Sequence, residues 1–235
     1  LDLPGRNEAA ANIFVGIDWL SSVSFEHTHS IGKRVLVLGG GNTAMDCCRT
    51  ARRLGGEDVK VIVRSPFASM KASPWEKEDA MHEDIPIIDN HVPKSFVIDD
   101  GKLAGMTFEK VEAVYDENGK RSLVPTGEPD VFYPADDVLI AVGQENSFPW
   151  IERDLGVEFD KWEMPVVDRK TFQSTHPKVF FGGDAAFGPE NVITAVAHGH
   201  QAAISIDLFC KGEDLHKRPD PFVNLVSQKM GIHEW

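Results

Sequence analysis

The sequence is poor in cysteine, with Cys47, Cys48 and Cys210 the only three in 235 residues. No Cys-x-x-Cys pair occurs, which excludes a redox dithiol motif or a zinc knuckle of that spacing. Cys47 and Cys48 are neighbours on one expected helix and point in different directions, so they read as small buried residues of a reducing, cytoplasmic chain. No apolar run is long enough to span a bilayer, and no signal-peptide pattern opens the sequence. Positive charge is scarce: 24 Lys and Arg stand against 37 Asp and Glu, a formal net charge of -13. Phosphate backbones and anionic membranes need a basic face, so general nucleic-acid or membrane-surface binding is excluded, and a local basic pocket is not. Internal repeats and low-complexity tracts are missing, as is any Ser/His/Asp set. His27 and His29 alternate without a third metal ligand and read as a solvated connector. With 42% hydrophobic residues the chain can bury a sizeable core as one large domain or two small ones.

The organising stretch is Val35-Leu36-Val37-Leu38-Gly39-Gly40-Gly41-Asn42-Thr43-Ala44. Apolar β-formers run straight into glycines, and a helical run from Ala44 to Leu54 follows, then a second strand from Val59 to Val63. This strand–glycine turn–helix–strand order is that of a dinucleotide-binding βαβ unit. In the pattern Gly39-x-Gly41-x-x-Ala44, Gly39 permits the tight turn and Gly41 lets a pyrophosphate approach the backbone. Ala44 is small enough for close helix–strand packing. Free N–H groups at the start of the helix, Asn42 and Thr43 among them, would face the phosphates at the positive end of the helix dipole. The helix places Ala44, Cys47, Cys48, Ala51 and Leu54 on one face and Arg49, Arg52 and Arg53 mostly outside, and Gly55-Gly56 stops it.

A nicotinamide nucleotide without a 2′-phosphate is usually held by Asp or Glu at the end of the second strand. Here that position is Arg64, and the loop beyond carries Lys71. The missing acid and the two cations predict NADP(H).

Further along, Pro74 to Met81 predicts a short helix with Ser73 as its cap and proline at its first position. Ile85 to Ile88 is a third apolar run. Ser95–Ile98, Leu103–Val111 and Gly127–Tyr133 predict an antiparallel meander with turns at Asp99-Asp100-Gly101 and Asn118-Gly119. Val138 to Val142 returns as a buried strand, so Ala141, Gly143 and Gln144 fall where a doubly wound sheet lines its ligand crevice. Val166–Asp168 and Val179–Phe181 predict short strands, and a small-residue helix is expected from Val192 to Phe209. His198 and His200 within it read as helix-surface or interface residues. The fold class is therefore α/β, a Rossmann-like domain with a parallel sheet plus an antiparallel β-meander.

Residues 37 to 55 resemble the NADPH-binding segment of the glutamate synthase small (β) subunit family, flavin-dependent pyridine nucleotide oxidoreductases. Three more stretches match in order: Val63-Arg64 with Met70-Lys71-Ala72-Ser73-Pro74; Ile140 to Gln144; and Val179 to Ala185 followed by Gly199-His200-Gln201-Ala202-Ala203. The likeness runs from about Leu1 to Phe209.

The resemblance implies an NADP(H) domain inserted into a discontinuous FAD domain. Residues 1–29 would be an FAD-domain remnant and connector, 30–145 the NADP(H)-binding domain, and 146–235 the C-terminal FAD-domain segment and tail. Gly183 and Asp184 would meet the FAD ribityl chain, with Asn191 and Val192 opening a helix aimed at the flavin. Hydride would pass from NADPH to FAD, and electrons onward to an iron–sulfur domain or a large amidotransferase-type subunit. Transfer between two cofactors needs geometry and electrostatics rather than a catalytic side chain, so none is assigned, nor any metal ligand. The family's FAD glycine fingerprint and cluster cysteines find no counterpart in these residues. The chain is thus expected to be the C-terminal part of a longer protein, unable to hold FAD or oxidise NADPH alone. Faces meant for the other half are expected to be exposed and open to homo-oligomer formation. A non-catalytic NADP(H)-binding module or an inactive fragment is the alternative.

Overall fold

Five strands, β1 (Ile13–Val15), β2 (Arg34–Leu38), β3 (Asp58–Ile62), β4 (Ile87–Ile88) and β9 (Asp137–Ile140), form a parallel sheet in the order β1-β9-β2-β3-β4. The structure is a computed structural model describing residues 1–117, 119, 121–143 and 146–218. It divides into two units, Leu1–Gln144 and Glu145–Trp235. Gln144 and the tail from residue 219 lie outside the described residues.

Strand side chains alternate between two faces, and in the first unit both faces are covered. Val35, Val37, Val59, Val61 and Leu139 pack into a core with Trp19, Ala44, Cys47, Cys48, Ala51 and Ala80 from the helices. Those helices are α1 (Gly16–Ser24), α2 (Asn42–Arg53) and α3 (Pro74–His82). Leu36, Leu38, Ile62 and Val138 point the other way, into a core with Phe96, Leu103, Met106 and Phe108. These come from the antiparallel layer of β5 (His91–Asp99), β6 (Lys102–Tyr115), β7 (Arg121–Pro125) and β8 (Val131–Pro134). The continuous apolar run of β2 follows from burial on both faces.

The meander is larger than its sequence suggests. The β5–β6 hairpin turns at Asp100 and Gly101, both with positive φ, as the Asp-Gly pair predicts. Strand β6 runs on to Tyr115, where its far half pairs with β7, a strand not expected, while its near half pairs with β8. The expected strand over 127–133 is realised only as Val131–Pro134, because Lys110 and Thr126 end the β6–β7 ladder in a loop. Asn118 of the second expected turn lies outside the described residues.

Helix α2 buries Ala44, Met45, Cys47, Cys48 and Ala51 completely. Burial pushes both thiols up to about 12, so neither is a thiolate at neutral pH. Arg49 ties α2 to α3 through Glu76 (3.2 Å), Asp79 (3.1 Å) and Glu83 (2.9 Å). Ser73 does not cap α3; its hydroxyl and backbone N–H are engaged by Asn42 instead. Residues 1–29, expected as a remnant and connector, supply β1 and α1 to this unit, with β1 paired in parallel to β9.

The second unit contains α4 (Asp184–Phe187) and α5 (Val192–Lys211). Its core gathers Ile151, Val157, Phe181 and Ala186, flanked by Phe148, Phe159 and Phe187. The two short strands expected at 166–168 and 179–181 are only isolated bridges, Val167 with Ser174 and Gln173 with Phe180. Asp168 folds its own loop, its Oδ1 accepting the Thr171 N–H at 2.6 Å, between the two residues of the first bridge. Among the described residues no helix is long and apolar enough to cross a membrane.

Candidate functional site

From β2 the chain moves to β3 on one side, and β9 lies on the other. The switch point of the sheet therefore falls at the carboxyl ends of β2 and β9, where ligands of doubly wound folds bind. Gly39-Gly40-Gly41 leaves β2 there and Ala141-Val142-Gly143 leaves β9. The two segments touch, with the Ala141 N–H donating to the Leu38 carbonyl at 2.7 Å.

The glycines of this turn differ in what they do. Gly39 has φ +142°, and a Cβ on it would lie 2.1 Å from the Ala141 carbonyl oxygen, so the fold itself demands glycine. Gly41 is the N-cap of α2 in an extended conformation, φ -103° and ψ 177°, that any residue adopts. A Cβ there would meet nothing within 4 Å. Neither backbone nor packing needs glycine at 41, and the space over the start of α2 is open. No side chain caps the first turn of α2, so its forward N–H groups remain available to an anion.

The loop after β3 is hooked onto this turn. A Cβ on Gly40 would lie 2.9 Å from Val63 Cγ1 and 3.5 Å from Met70 Cγ. Arg64 and Lys71, the next residue in each case, consequently flank the turn. The Ala72 N–H donates to the Gly40 carbonyl (2.9 Å) and the Ser73 N–H to Asn42 Oδ1 (2.8 Å). The Asn42 side chain thus holds the Lys71 loop in place, leaving only its backbone for a phosphate. Asp89 is occupied by the Phe67 N–H at 2.7 Å. Arg64 and Lys71 are exposed and make no ion pair among the described residues. Arg121 joins them from the meander, its Nη2 donating to Ser65 Oγ at 3.4 Å. Sequence reasoning passed over Arg121, which lies 56 positions from Ser65 on a strand with no clear alternating pattern.

On the β9 side, Gly143 has φ +128° with open space around it, and Val142 is 56% exposed. Gln144 lies outside the described residues.

The second unit places the other expected group. Asp184 begins α4, and its Oδ1 accepts the Glu190 N–H at 3.2 Å. Asn191 is the N-cap of α5: its Oδ1 accepts from the Thr194 N–H (2.8 Å) and hydroxyl (3.0 Å). Val192 and Ile193, the first residues of that helix, are 78% and 81% exposed. His198 is expected as a helix-surface or interface residue, and the structure gives it the packed role. It is half-buried, its Nδ1 accepts the Gly183 N–H at 3.1 Å, and its ring packs between Phe172 and Phe187. Nothing in the α5 sequence marks this role, which arises where the Gly182–Gly183 turn meets the helix.

A parallel sheet with a glycine turn at its switch point, helices on one face and a β-meander on the other, defines a Rossmann-type α/β protein. Residues 1–199 match the model of the pyridine nucleotide-disulphide oxidoreductase family, and the chain belongs to that family. It is 31% identical over 236 residues to the NADP(+)-dependent formate dehydrogenase subunit beta of Moorella thermoacetica, covering 100% of this chain and 33% of that one. It is 35% identical to the glutamate synthase [NADPH] small chain of Halomonas elongata, covering 87% of this chain and 45% of that one. The resemblance carried by the motifs is borne out in these relatives, and the chain spans a third to under half of their length. The crystal structure of T. acidophilum thioredoxin reductase shares the fold, with TM-score 0.67 at 22% identity over 90% of this chain and 62% of that chain.

Proposed function

We propose that this chain is the NADP(H)-binding part of a flavin-dependent oxidoreductase of the glutamate synthase small-subunit type. The observation that carries the reading is the glycine at position 41, which the fold does not need, opening uncapped helix N–H groups beside two cations, Arg64 and Lys71, that make no ion pair among the described residues. A dinucleotide fits these residues. The pyrophosphate would sit over Gly41 and the backbone of Asn42 and Thr43, with Gly39 keeping the turn tight. Arg64 and Lys71 would take the adenosine 2′-phosphate. Ala141 and Gly143, with Gln144 after them, would line the nicotinamide side.

Residues 146–235, which fall in the second unit, we read as a segment of an FAD domain. Asp184 keeps Oδ2 free for a ribityl hydroxyl, and the exposed start of α5 at Val192 offers an apolar surface to a ring. Asn191 supports that helix rather than the ligand directly. The described residues offer one strand–glycine–helix turn, which we assign to NADP(H), so the contacts proposed here for FAD are those to its ribityl chain and ring only. A bound nicotinamide would supply hydride chemistry and a bound flavin two-electron acceptance, while the residues named here would bind and orient them. Relatives named as subunits support an onward partner, either an iron–sulfur domain or a large amidotransferase-type subunit. A cytoplasmic setting suits this chemistry.

Titration with NADPH and NADH tests the nucleotide half. NADPH should bind more tightly, the preference should weaken with salt, and Arg64→Glu should erase it. Gly41→Val should abolish binding of both nucleotides while leaving the melting temperature unchanged. Equal affinity for the two nucleotides in the unaltered chain would sink the assignment. A yellow preparation carrying stoichiometric FAD would show that 1–235 suffices for flavin.

A further inference from the structure

We propose that Arg121 is a specificity-determining residue of the nucleotide site, contributed by the antiparallel meander to the 2′-phosphate of NADP(H). The inference rests on the nucleotide reading above and adds a residue from outside the βαβ unit. Positions 64–65 follow closely on the end of β3 at Ile62, the place where the adenosine ribose of a dinucleotide is read. Arg121 opens β7, opposite Tyr115 at the far end of β6. That hairpin end returns to the β3 loop, so that Arg121 Nη2 lies 3.4 Å from Ser65 Oγ.

Two features mark this contact as more than a surface arginine. The chain is acidic overall, at -13, and two other cations of the meander have taken acids: Lys94 pairs with Asp130 at 2.9 Å and Lys110 with Glu128 at 2.6 Å. Arg121 pairs with none among the described residues and is exposed. Its described partner is a neutral hydroxyl, and no other described residue takes its charge or its remaining guanidinium N–H groups. Ser65, by accepting from Arg121, keeps its own proton free to donate to a phosphate oxygen. Arg64, Ser65 and Arg121 together would present two guanidinium forks and a hydroxyl to one dianion, a geometry suited to bidentate phosphate contacts.

Binding of 2′,5′-ADP and 5′-AMP, which differ in the 2′-phosphate, and of NADPH and NADH, should be measured on the full chain and on Arg121→Ala, Arg121→Lys and Arg64→Glu. Arg121→Ala should weaken NADPH and 2′,5′-ADP by about tenfold, the scale of one charge-assisted contact, and leave NADH and 5′-AMP unchanged. It should also flatten the salt dependence of NADPH binding, and Arg121→Lys should recover part of the loss. Preference lost in Arg64→Glu but untouched in Arg121→Ala overturns the role of Arg121 and leaves the nucleotide reading standing. Equal weakening of all four ligands in Arg121→Ala also overturns it, since the effect would not be on the 2′-phosphate. No preference in the unaltered chain overturns both.

Discussion

The two units treat their apolar surface differently. In Leu1–Gln144 both faces of the parallel sheet are covered, and Val35, Val37, Val61, Met106, Phe108 and Leu139 reach 0% exposure. In Glu145–Trp235 the core hydrophobics Ile151, Val157, Phe181 and Ala186 stop at 5–8%, while Trp150, Trp162, Val192 and Ile193 are at least 70% exposed. One unit closes around its own sheet. The other encloses its core less completely, although the first unit also exposes Phe25 at 70% and Trp75 at 63%. The contrast lies in how completely each core is enclosed, and the looser second core is in keeping with the proposal that this unit is a segment of a larger domain.

The most drastic way to break this comparison is to separate the units. Residues 1–144 alone should unfold cooperatively in urea and keep NADPH binding, whereas 145–235 alone should give no cooperative transition. A sharp transition from the second piece would remove the contrast. Next in size, Leu36→Ala should destabilise the first unit by about 2–5 kcal/mol, since the side chain is enclosed between the sheet and the meander. Val192→Ser in the second unit should change stability by no more than about 0.5 kcal/mol. Chemical denaturation followed by far-ultraviolet circular dichroism reads both.

A smaller effect sharpens the comparison at helix starts. Asn191→Ala removes the cap of α5 and should cost about 1 kcal/mol, while Ser73→Ala, at a helix start the serine does not cap, should lose only the weak Asn42 contact. Swapped magnitudes would mean that the caps are misassigned.

The smallest expected effect is on pH. Hydrogen bonds from Arg53 first, and then Arg49, hold the Glu83 carboxyl below its ordinary range. A carboxyl lowered by folding stabilises the fold fully above its unfolded value, and that contribution is lost as pH falls through the lowered one. The first unit should therefore lose stability below the ordinary carboxylate range, and Glu83→Gln should flatten that slope. An unchanged acid limb in the variant would remove Glu83 as its cause.

Much of the first unit was legible in the sequence because its signals are local. Glycines 39 and 41 sit at fixed spacing after an apolar strand, and the α2 face of Ala44, Cys47, Cys48 and Ala51 repeats with the helical period. What was not legible depends on partners distant in sequence. Strand β7 has a weak pattern, since Arg121 to Pro125 is largely exposed, and β6 is what makes it a strand. The runs at 166–168 and 179–181 look like strands by composition, yet lack partners long enough to build a ladder.

By itself the sequence determined the α/β class, the glycine turn, the absence of an acid at Arg64 and the family, because each is a matter of residue type at short spacing. Tertiary structure decided which glycine is structural and which leaves open space, since only the approach of Ala141 to Gly39 distinguishes it from Gly41. It also decided that Asn42 and Asn191 are holding and capping residues, that His198 accepts from Gly183, and that Arg121 stands beside Ser65. Each of these is a contact between chain segments that no local pattern encodes: the backbone must first fold to bring the atoms within hydrogen-bonding range.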